Sequence, residues 1–199
     1  MQYTIVYMAA GNSRRFGKEN KLLQEFRGKP LYSYGLELLQ AAARERENVR
    51  AVVITQYQEI VEAVEKCRSR KISCFLNSDS KKGVSYTIRR GIREALENGP
   101  VDYFLFMTAD QPFLRKKTLE QFFAEGEKGN PVVSAAWREQ PGNPVMFRAD
   151  LAEELVRLKE DEGGRKVWKK YASQGVLIQA EDPKELQDLD VPKDWTAEE

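Results

Sequence analysis

Histidine is absent from this chain of 199 residues. Its absence excludes nucleophilic catalysis by Ser-His or Cys-His pairs, and it excludes zinc sites built on imidazole ligands. Any chemistry must therefore depend on carboxylates, lysine, arginine and backbone amides. We also expect a hard metal ion, because carboxylate oxygens are the ligands that such an ion prefers.

Cysteine and long apolar runs are also scarce. The two cysteines, Cys67 and Cys74, have a spacing that matches no zinc or redox motif, so we interpret them as structural or incidental thiols. No run approaches the roughly 18 apolar residues that cross a bilayer. The N-terminus also lacks the basic and apolar regions of a secretion signal. We therefore expect a cytoplasmic protein without a membrane partner.

Neither sign of charge is in excess, since 32 Lys and Arg residues face 31 Asp and Glu residues and the net charge is +1. This balance argues against a nucleic-acid partner bound through overall charge. It does not exclude a local basic pocket for a small anion. A domain of this length buries roughly 70% of its unfolded surface without disulfides, so we expect one domain over residues 1–199.

Short apolar runs alternate with segments of helical periodicity. Strands are predicted at residues 3–8, 51–54, 72–76, 103–107, 131–136, 145–147 and 176–179, and helices at 30–43, 59–66, 85–96, 118–125, 151–159 and 165–171. This alternation predicts βαβ units and a mainly parallel sheet covered by helices. Such sheets bind ligands beyond the carboxyl ends of their strands.

A polar loop with glycines follows the first predicted strand. Residues 9–23 read A-A-G-N-S-R-R-F-G-K-E-N-K-L-L. Small residues let backbone amides approach a phosphate, and Arg15 and Lys21 supply positive charge. The spacing differs from a Walker loop, and Ser13 stands where a dinucleotide fingerprint has its second glycine. The pattern alone therefore leaves open a phosphate loop and a plain strand-to-helix turn.

A carboxylate follows the most apolar predicted strand. Asp110 lies three residues beyond Met107, in the segment T-A-D-Q-P. The carboxyl end of a central strand is a position at which a carboxylate can hold Mg²⁺. Alternatively, Asp110 caps the helix that starts near Lys116, and its position does not separate the two hypotheses.

Taken together, these motifs resemble the MobA-like nucleotidyltransferases, and within them the molybdenum cofactor cytidylyltransferases. The loop A-A-G-x-S-x-R-F-G, followed by N-K-L-L, is similar to the N-terminal signature of the family. Residues 108–112 resemble its Gly-Asp-Met-Pro element, with Ala109 and Gln111 as departures, and residues 188–194 resemble its Asp-Ile-Asp-Thr-Pro-Glu-Asp motif. The resemblance runs from Ala9 to Asp194. It implies a three-layer α/β fold, Rossmann-like and GT-A-like, with a mainly parallel mixed sheet.

The resemblance implies a nucleotide site, in which the loop wraps the triphosphate and Lys21 neutralises it. The predicted nucleotide-binding residues are Ala9, Ala10, Gly11, Ser13, Arg15, Lys21, Asn77, Gly83 and Ser85. We expect Lys21 to be an exposed loop lysine, so that its replacement affects turnover and not stability. Ser85 has an alternative role as the N-cap of the helix that follows.

The resemblance also implies a metal site and an acceptor site. Mg²⁺ would be held by Asp110 and Asp190. Asp188 and Asp194 are weaker candidates, and the alternative for all three C-terminal residues is a plain acidic tail. The predicted acceptor-binding residues are Gly142, Asn143 and Pro144, in a loop between strands, and Arg165, which could equally be a surface charge.

The implied reaction transfers a nucleoside monophosphate from a nucleoside triphosphate to a phosphorylated acceptor and releases pyrophosphate, with Lys21, Arg15 and Asp110 as catalytic residues. The acceptor phosphate is already ionised, so the reaction needs no general base. By resemblance the acceptor is the molybdopterin cofactor. CTP is favoured over GTP, because guanylyl members tend to carry Gly-Gly where this chain has Ala10-Gly11. Alternatives are a sugar phosphate or another phosphorylated metabolite as acceptor, and a non-catalytic accessory protein that hands cofactor to a molybdenum hydroxylase.

Overall fold

The computed structural model describes residues 1–11 and 20–190. The predicted phosphate ligands Ser13 and Arg15, and the weaker candidate Asp194, lie outside the described residues. Within the described ranges, no helix is long and apolar enough to cross a membrane.

The described strands and helices alternate along the chain. The strands are β1 Tyr3–Ala9, β2 Glu25–Phe26, β3 Lys29–Pro30, β4 Val49–Thr55, β5 Ile72–Leu76, β6 Tyr103–Thr108, β7 Val132–Trp137, β8 Gln140–Arg148 and β9 Gly175–Gln179. The helices are α1 Leu31–Glu45, α2 Gln58–Lys66, α3 Val84–Glu97, α4 Lys116–Glu127, α5 Ala152–Val156 and α6 Gly164–Tyr171. Short 3₁₀ turns occur at Lys21–Leu23, Ser78–Lys82, Ala149–Leu151, Ala172–Gln174 and Pro183–Leu186.

Seven strands form one mixed sheet in the order β5-β4-β1-β6-β8-β7-β9. β1 is central and pairs in parallel with β4 and β6, with Val6 opposite Val52 on one side and Phe106 on the other. β8 is antiparallel to both of its neighbours, and β7 pairs with β9 in parallel. The carboxyl ends of β1, β4 and β6 therefore meet at one edge of the sheet, where ligands bind in folds of this kind.

Helices cover both faces of the sheet because successive strand residues point to opposite sides. Ile5 of β1 belongs to a buried cluster with Leu39 of α1 and Phe122 of α4. Its neighbour Val6 belongs to a second cluster, which includes Ile88 of α3 and Leu155 of α5. The predicted three-layer, Rossmann-like α/β architecture with a mainly parallel mixed sheet is confirmed.

The structure differs from the sequence prediction in strand β8, in helix α5 and in one short hairpin. Strand β8 is longer than the predicted 145–147, and it includes Gly142, Asn143 and Pro144, which were predicted to form a loop. Pairing of its start with β7, after a register shift between Ser134 and Ala136, outweighs the turn preference of Gly and Pro. The helix predicted at 151–159 is also too long, because α5 ends at Val156. The hairpin of β2 and β3 was not predicted.

Candidate active site

The glycine loop and the segment after β6 leave the sheet at the same edge. β1 ends at Ala9 and β6 ends at Thr108, and the two strands are paired in register along their length. The start of the loop is held by the end of β4, since Thr55 Oγ1 donates to Ala9 O at 2.9 Å and Gln56 Nε2 donates to Ala10 O at 2.9 Å. The two polypeptide segments predicted to carry the chemistry are thereby neighbours.

Lys21 enters the site from a capped 3₁₀ turn. Asn20 is the N-cap of this turn, and its Oδ1 accepts a hydrogen bond from Leu22 N at 2.8 Å. Leu22 is buried in the core and anchors the turn. The cap at Asn20 and the buried side chain of Leu22 fix the backbone on both sides of Lys21. Lys21 is accordingly held inside the structure, with its side chain only 7% exposed.

The ammonium group of Lys21 bridges two carboxylates. Lys21 Nζ lies 2.7 Å from Asp110 Oδ2 and 2.8 Å from Asp190 Oδ1. Burial lowers the pKa of Lys21, but the charge of Asp110 and hydrogen bonds to both carboxylates outweigh this effect, so the pKa is raised overall. Lys21 therefore stays protonated, and it offsets the repulsion between the two negative charges.

Asp190 reaches this position because the C-terminal segment, residues 186–190, is attached to the segment after β6. Leu189 N donates to Asp110 O at 3.0 Å, and the Leu189 side chain is completely buried in the core. Gln111 Nε2 donates to Leu186 O at 3.1 Å. These contacts bring together residues that are distant in the chain and place Asp190 beside Lys21.

A first cavity of about 230 Å³ opens between the glycine loop and α3. Its lining residues come from β1 and the loop, from the region before α3, and from the end of β6: Met8, Ala10, Gly11, Lys21, Leu22, Ser80, Gly83, Val84, Thr87, Thr108, Ala109, Asp110 and Asp161. Four of the predicted nucleotide-binding residues, Ala10, Gly11, Lys21 and Gly83, therefore line one cavity. The wall opposite Gly11 carries Asp110, the predicted metal ligand.

Gly83 sets the shape of the cavity on the α3 side. Its φ is +131°, and a Cβ atom at this position would lie 2.3 Å from the carbonyl carbon and oxygen of Glu160. Gly83 is the residue that precedes α3, and Ser85 N donates to Glu160 O at 3.0 Å. Only glycine permits both this backbone conformation and this close approach. The entrance to α3 is consequently fixed against the 160–161 loop.

Ser85 is not the N-cap that sequence reasoning offered as its alternative role. The cap position belongs to Gly83, and Ser85 is the second residue of α3. The Ser85 side chain is fully buried, and its Oγ has no hydrogen-bond partner among the described residues. The β-region φ/ψ typical of a capping serine cannot occur here, because Ser85 already has helical backbone geometry.

A second cavity of about 240 Å³ lies among β7, β8, α6 and the C-terminal segment. It is lined by Gln111, Ser134, Pro141, Gly142, Asn143, Val145, Arg165, Trp168, Leu186 and Asp188. Three of the predicted acceptor-binding residues, Gly142, Asn143 and Arg165, are part of this lining, whereas Pro144 lies in the same strand but does not line the cavity. Asp110 and Gln111, adjacent in sequence, thus face two different cavities.

Asp188 gives the second cavity an unusual carboxyl group. Partial withdrawal from water and the negative charge of Asp110 raise the pKa of Asp188 to about 7, with a smaller contribution from Asp190. Lys21 and a hydrogen bond from Gln111 act in the opposite direction. Burial is the larger cause, and the nearby carboxylates of Asp110 and Asp190 add to it because like charges disfavour ionisation of Asp188.

The donor atoms at this edge suit a hard divalent cation. Asp110 Oδ1 and Thr108 Oγ1 are buried and have no hydrogen-bond partner in the described part of the chain. Both are oxygen atoms, as are the carboxylate atoms of Asp190 that could bind a cation. Within residues 1–11 and 20–190, no group of three or more His, Cys, Asp or Glu side chains is arranged to hold a metal by itself. Asp110 and Asp190 therefore fit an ion such as Mg²⁺, which takes one or two carboxylates and completes its shell from phosphates and water.

Two further sequence expectations about this site were wrong. Lys21 is buried and paired, not an exposed loop lysine, because the folded C-terminal segment covers it. Asp110 does not cap the next helix, since α4 begins at Lys116 and the residue before it is Arg115. Ala9 and Asn77 are buried beside the first cavity but do not line it, and Asn77 Oδ1 accepts from Asp79 N to cap the 3₁₀ turn.

Several lining residues were missed by sequence reasoning. They are Thr87, Thr108 and Asp161 in the first cavity, and Gln111, Ser134 and Trp168 in the second. Gln111 stands next to the predicted metal ligand Asp110, and this proximity was a usable signal. Asp188, a weaker metal candidate in the sequence, lines the second cavity. Ser134 and Trp168 carry no such signal, because they lie in a strand and a helix whose apolar pattern indicates only the core.

The sequence matches a known family of proteins. Residues 5–175 match the model of the MobA-like NTP transferase domain. The chain is 28% identical over 195 residues to the purine catabolism protein PucB of Bacillus subtilis (strain 168), covering 96% of this chain and 92% of that protein. It is 27% identical over 154 residues to a probable molybdenum cofactor guanylyltransferase of Methanosarcina acetivorans, covering 74% of this chain and 65% of that protein.

Solved structures show the same fold at low sequence identity. A nucleotidyl transferase from a Methanothermobacter species, Mth528, superimposes with a TM-score of 0.77 and 20% identity, covering 98% of this chain and 94% of that structure. Rv0371C of Mycobacterium tuberculosis H37Rv in complex with manganese gives a TM-score of 0.68 and 20% identity, covering 98% of this chain and 97% of that structure.

Proposed function

Because the chain belongs to the MobA-like NTP transferase family, we propose that it transfers a nucleoside monophosphate from a nucleoside triphosphate to a phosphorylated acceptor and releases pyrophosphate. The observation that carries this proposal is the meeting of Lys21, Asp110 and Asp190 at the first cavity, which Lys21 and Asp110 line. Gln111 and Asp188, which are close to these carboxylates in the chain, line the second cavity. The first cavity would hold the triphosphate and the second the acceptor. The reacting phosphates would then meet beside these three charges.

Positioning and charge neutralisation are sufficient for this chemistry. An acceptor phosphate is ionised near neutral pH and attacks the α-phosphorus without a general base, so a chain without histidine can catalyse the reaction. Mg²⁺ held by Asp110 and Asp190 would neutralise phosphate charge when bound. The Lys21 ammonium, already at the border of the first cavity, would stabilise charge that develops on the triphosphate. Arg15 is proposed to assist from the glycine loop.

We propose CTP as the preferred nucleotide and the molybdopterin cofactor as the acceptor. Ala10 lines the first cavity, and its methyl group stands where guanylyl members of the family tend to carry glycine. On the acceptor side, Arg165 is an exposed cation at the second cavity and suits a phosphate. Similarity to a probable guanylyltransferase favours GTP as the second candidate nucleotide.

The proposal is tested by incubating the purified protein with Mg²⁺, each of the four nucleoside triphosphates and purified molybdopterin cofactor. Pyrophosphate release and the product mass are measured together. We expect release with CTP above that with GTP, and a product heavier than the acceptor by one cytidylyl group. Ala10→Gly should shift the preference towards GTP, whereas Ala63→Gly, in helix α2 outside both cavities, should not change the ratio.

The alternatives give different results in the same assay. A sugar phosphate such as glucose 1-phosphate that supports faster release than molybdopterin would identify another acceptor class. Faster release with GTP than with CTP would overturn the proposed base preference. Tight binding of the cofactor without pyrophosphate release from any nucleotide would favour a non-catalytic accessory protein that delivers cofactor, with a molybdenum hydroxylase as the proposed recipient.

A further inference from the structure

Gln111 is a buried amide that lines the second cavity. Its side chain is only 4% exposed, although the residue lines the second cavity and follows Asp110 directly. The family motif that this segment resembles has methionine at the corresponding place. A buried amide in place of an apolar side chain is costly unless its polar atoms are bonded. The contacts of the Gln111 amide must therefore offset the cost of burying it.

The amide nitrogen is bonded to the C-terminal segment. Gln111 Nε2 donates to Leu186 O at 3.1 Å. The amide oxygen, by contrast, is buried with no hydrogen-bond partner among the described residues. The orientation of the amide is consequently set by its N–H donor, which bonds the backbone of Leu186.

This hydrogen bond lies at the start of the segment that carries Asp190, residues 186–190. From Leu186 the chain continues to Leu189, whose N–H bonds to Asp110 O and whose side chain is buried. Asp190 follows at once and meets Lys21. The Asp190 side chain is itself 44% exposed, so packing around it is not enough to fix its position. The residues before it therefore add a restraint on its position.

We propose that Gln111 is a positioning residue that holds the C-terminal segment so that Asp190 is directed at Lys21 and Asp110. This inference rests on the proposed function in so far as Asp190 holds a divalent ion. Gln111 has no direct contact with the ion in this proposal. Its effect passes through the backbone from Leu186 to Leu189 and on to the carboxylate of Asp190. Residues that orient metal ligands in this way typically change metal affinity by about 10- to 100-fold when they are replaced.

The test uses Gln111→Met, which keeps the length and volume of the side chain and removes its hydrogen bonds. Binding of Mn²⁺ with a non-hydrolysable CTP analogue is measured by electron paramagnetic resonance, without turnover. We expect an approximately tenfold loss of Mn²⁺ affinity. The thermal midpoint should fall by about as much as in Asp190→Asn, because both changes remove the contact of Asp190 with Lys21, while the lost bond to Leu186 is offset by removal of the unsatisfied amide oxygen.

The matched control is Gln187→Met, the same substitution within the same segment. Gln187 is half-buried, and its side chain makes no hydrogen bond among the described residues. We expect this variant to bind Mn²⁺ like the wild type. Wild-type affinity in Gln111→Met would overturn the proposal, and so would equal losses in both variants. A lower thermal midpoint with unchanged affinity would show a structural role only, and would likewise overturn it.

A second measurement separates this inference from the proposed function. Unfolding of the metal-free wild type, Gln111→Met, Asp190→Asn and the double variant forms a thermodynamic cycle. Positioning predicts non-additive shifts of the thermal midpoint, because Asp190 has lost its contact with Lys21 once Gln111 is replaced. Additive shifts would overturn the positioning role. If the four proteins show this coupling but the wild type binds no nucleotide, the proposed function alone is refuted.

Discussion

Lys21 and Asp110 are 89 positions apart in the chain, yet the ammonium nitrogen and a carboxylate oxygen lie 2.7 Å apart within a largely buried site. With Asp190 as the third member, the arrangement has a net charge of −1, and Asp188 adds a further acidic group nearby. The positive charge of Lys21 therefore offsets part of the negative charge of these carboxylates inside the protein. In the proposed reaction its charge would also be available to a triphosphate.

Lys21→Met should destabilise the protein, because it removes the cation that lies between two carboxylates. Breaking a buried pair costs about 3–5 kcal/mol, and we expect about 2–3 kcal/mol here, since the Asp190 side chain is 44% exposed. Denaturant unfolding measures the change. Lys29→Met is the control, because Lys29 pairs with exposed Glu37 and a surface pair contributes at most about 1 kcal/mol.

Mg²⁺ should restore part of the stability lost in Lys21→Met and have a smaller effect on the wild type. The reason is that a bound cation replaces the missing positive charge between Asp110 and Asp190. Melting curves at several Mg²⁺ concentrations provide the measurement. An unchanged melting temperature of Lys21→Met in metal-free buffer would contradict the charge balance described above.

Asp110→Asn should abolish most activity and weaken Mg²⁺-dependent nucleotide binding, while it leaves unfolding within about 1 kcal/mol of the wild type. Asparagine keeps the shape and can still accept a hydrogen bond from Lys21, which retains Asp190 as its ion-pair partner. Asp190→Asn should behave alike, and Asp194→Asn should be mild. Initial rates and melting curves distinguish these results. A variant that melts far lower but turns over normally would identify Asp110 as a structural carboxylate.

The double variant Asp110→Asn, Asp190→Asn should separate activity from stability. Its turnover should be no worse than that of the poorer single variant, because both residues act on the same ion. Its stability should fall by more than the sum of the single effects, since the buried lysine loses the charge of both carboxylates only in the double variant. Rates and unfolding free energies from one preparation test both statements. Additive unfolding free energies would contradict the shared ion pair.

Gly83→Ala should destabilise the protein by about 3 kcal/mol and raise KM for the nucleotide. Its φ of +131° and the Cβ position 2.3 Å from the Glu160 backbone allow no relief by a flexible side chain. Gly163→Ala is the control from the same region, because its φ is −104° and its Cβ would only contact Val84 at 3.8 Å. Chemical denaturation and nucleotide KM are the readouts. Equal stability of both variants would contradict the obligatory role of Gly83.

Both described cysteines should resist alkylation in the native protein at pH 8. Burial raises the pKa of Cys74 to about 12 and also raises the pKa of Cys67. The thiolate is the reactive form, and a raised pKa keeps each thiol protonated until the solution is strongly alkaline. Mass spectrometry after timed treatment with iodoacetamide, with and without denaturant, checks this. Rapid labelling of Cys74 at pH 8 without unfolding would show that the thiol is exposed.

Element positions were largely predictable because apolar periodicity reports which residues face a core. The strand predicted at 72–76 is observed at Ile72–Leu76, and the strand predicted at 103–107 is observed at Tyr103–Thr108. The location of Asp110 at the end of a central strand followed from the same pattern. Strand β8 was less predictable, since its first residues are ordered by pairing with β7 and not by their own propensity.

The identity of the charged groups at the proposed site could be predicted from the sequence, because each lies in a short motif at the end of a strand or near the chain terminus. Their arrangement was decided by tertiary structure alone. Lys21 is 169 positions from Asp190, and no local pattern indicates that the C-terminal segment covers it. The covering depends on burial of Leu189 and on the hydrogen bond from Gln111 to Leu186, which exist only once the sheet has formed. Long-range packing therefore buries Lys21, which the sequence predicted at the surface, between two carboxylates.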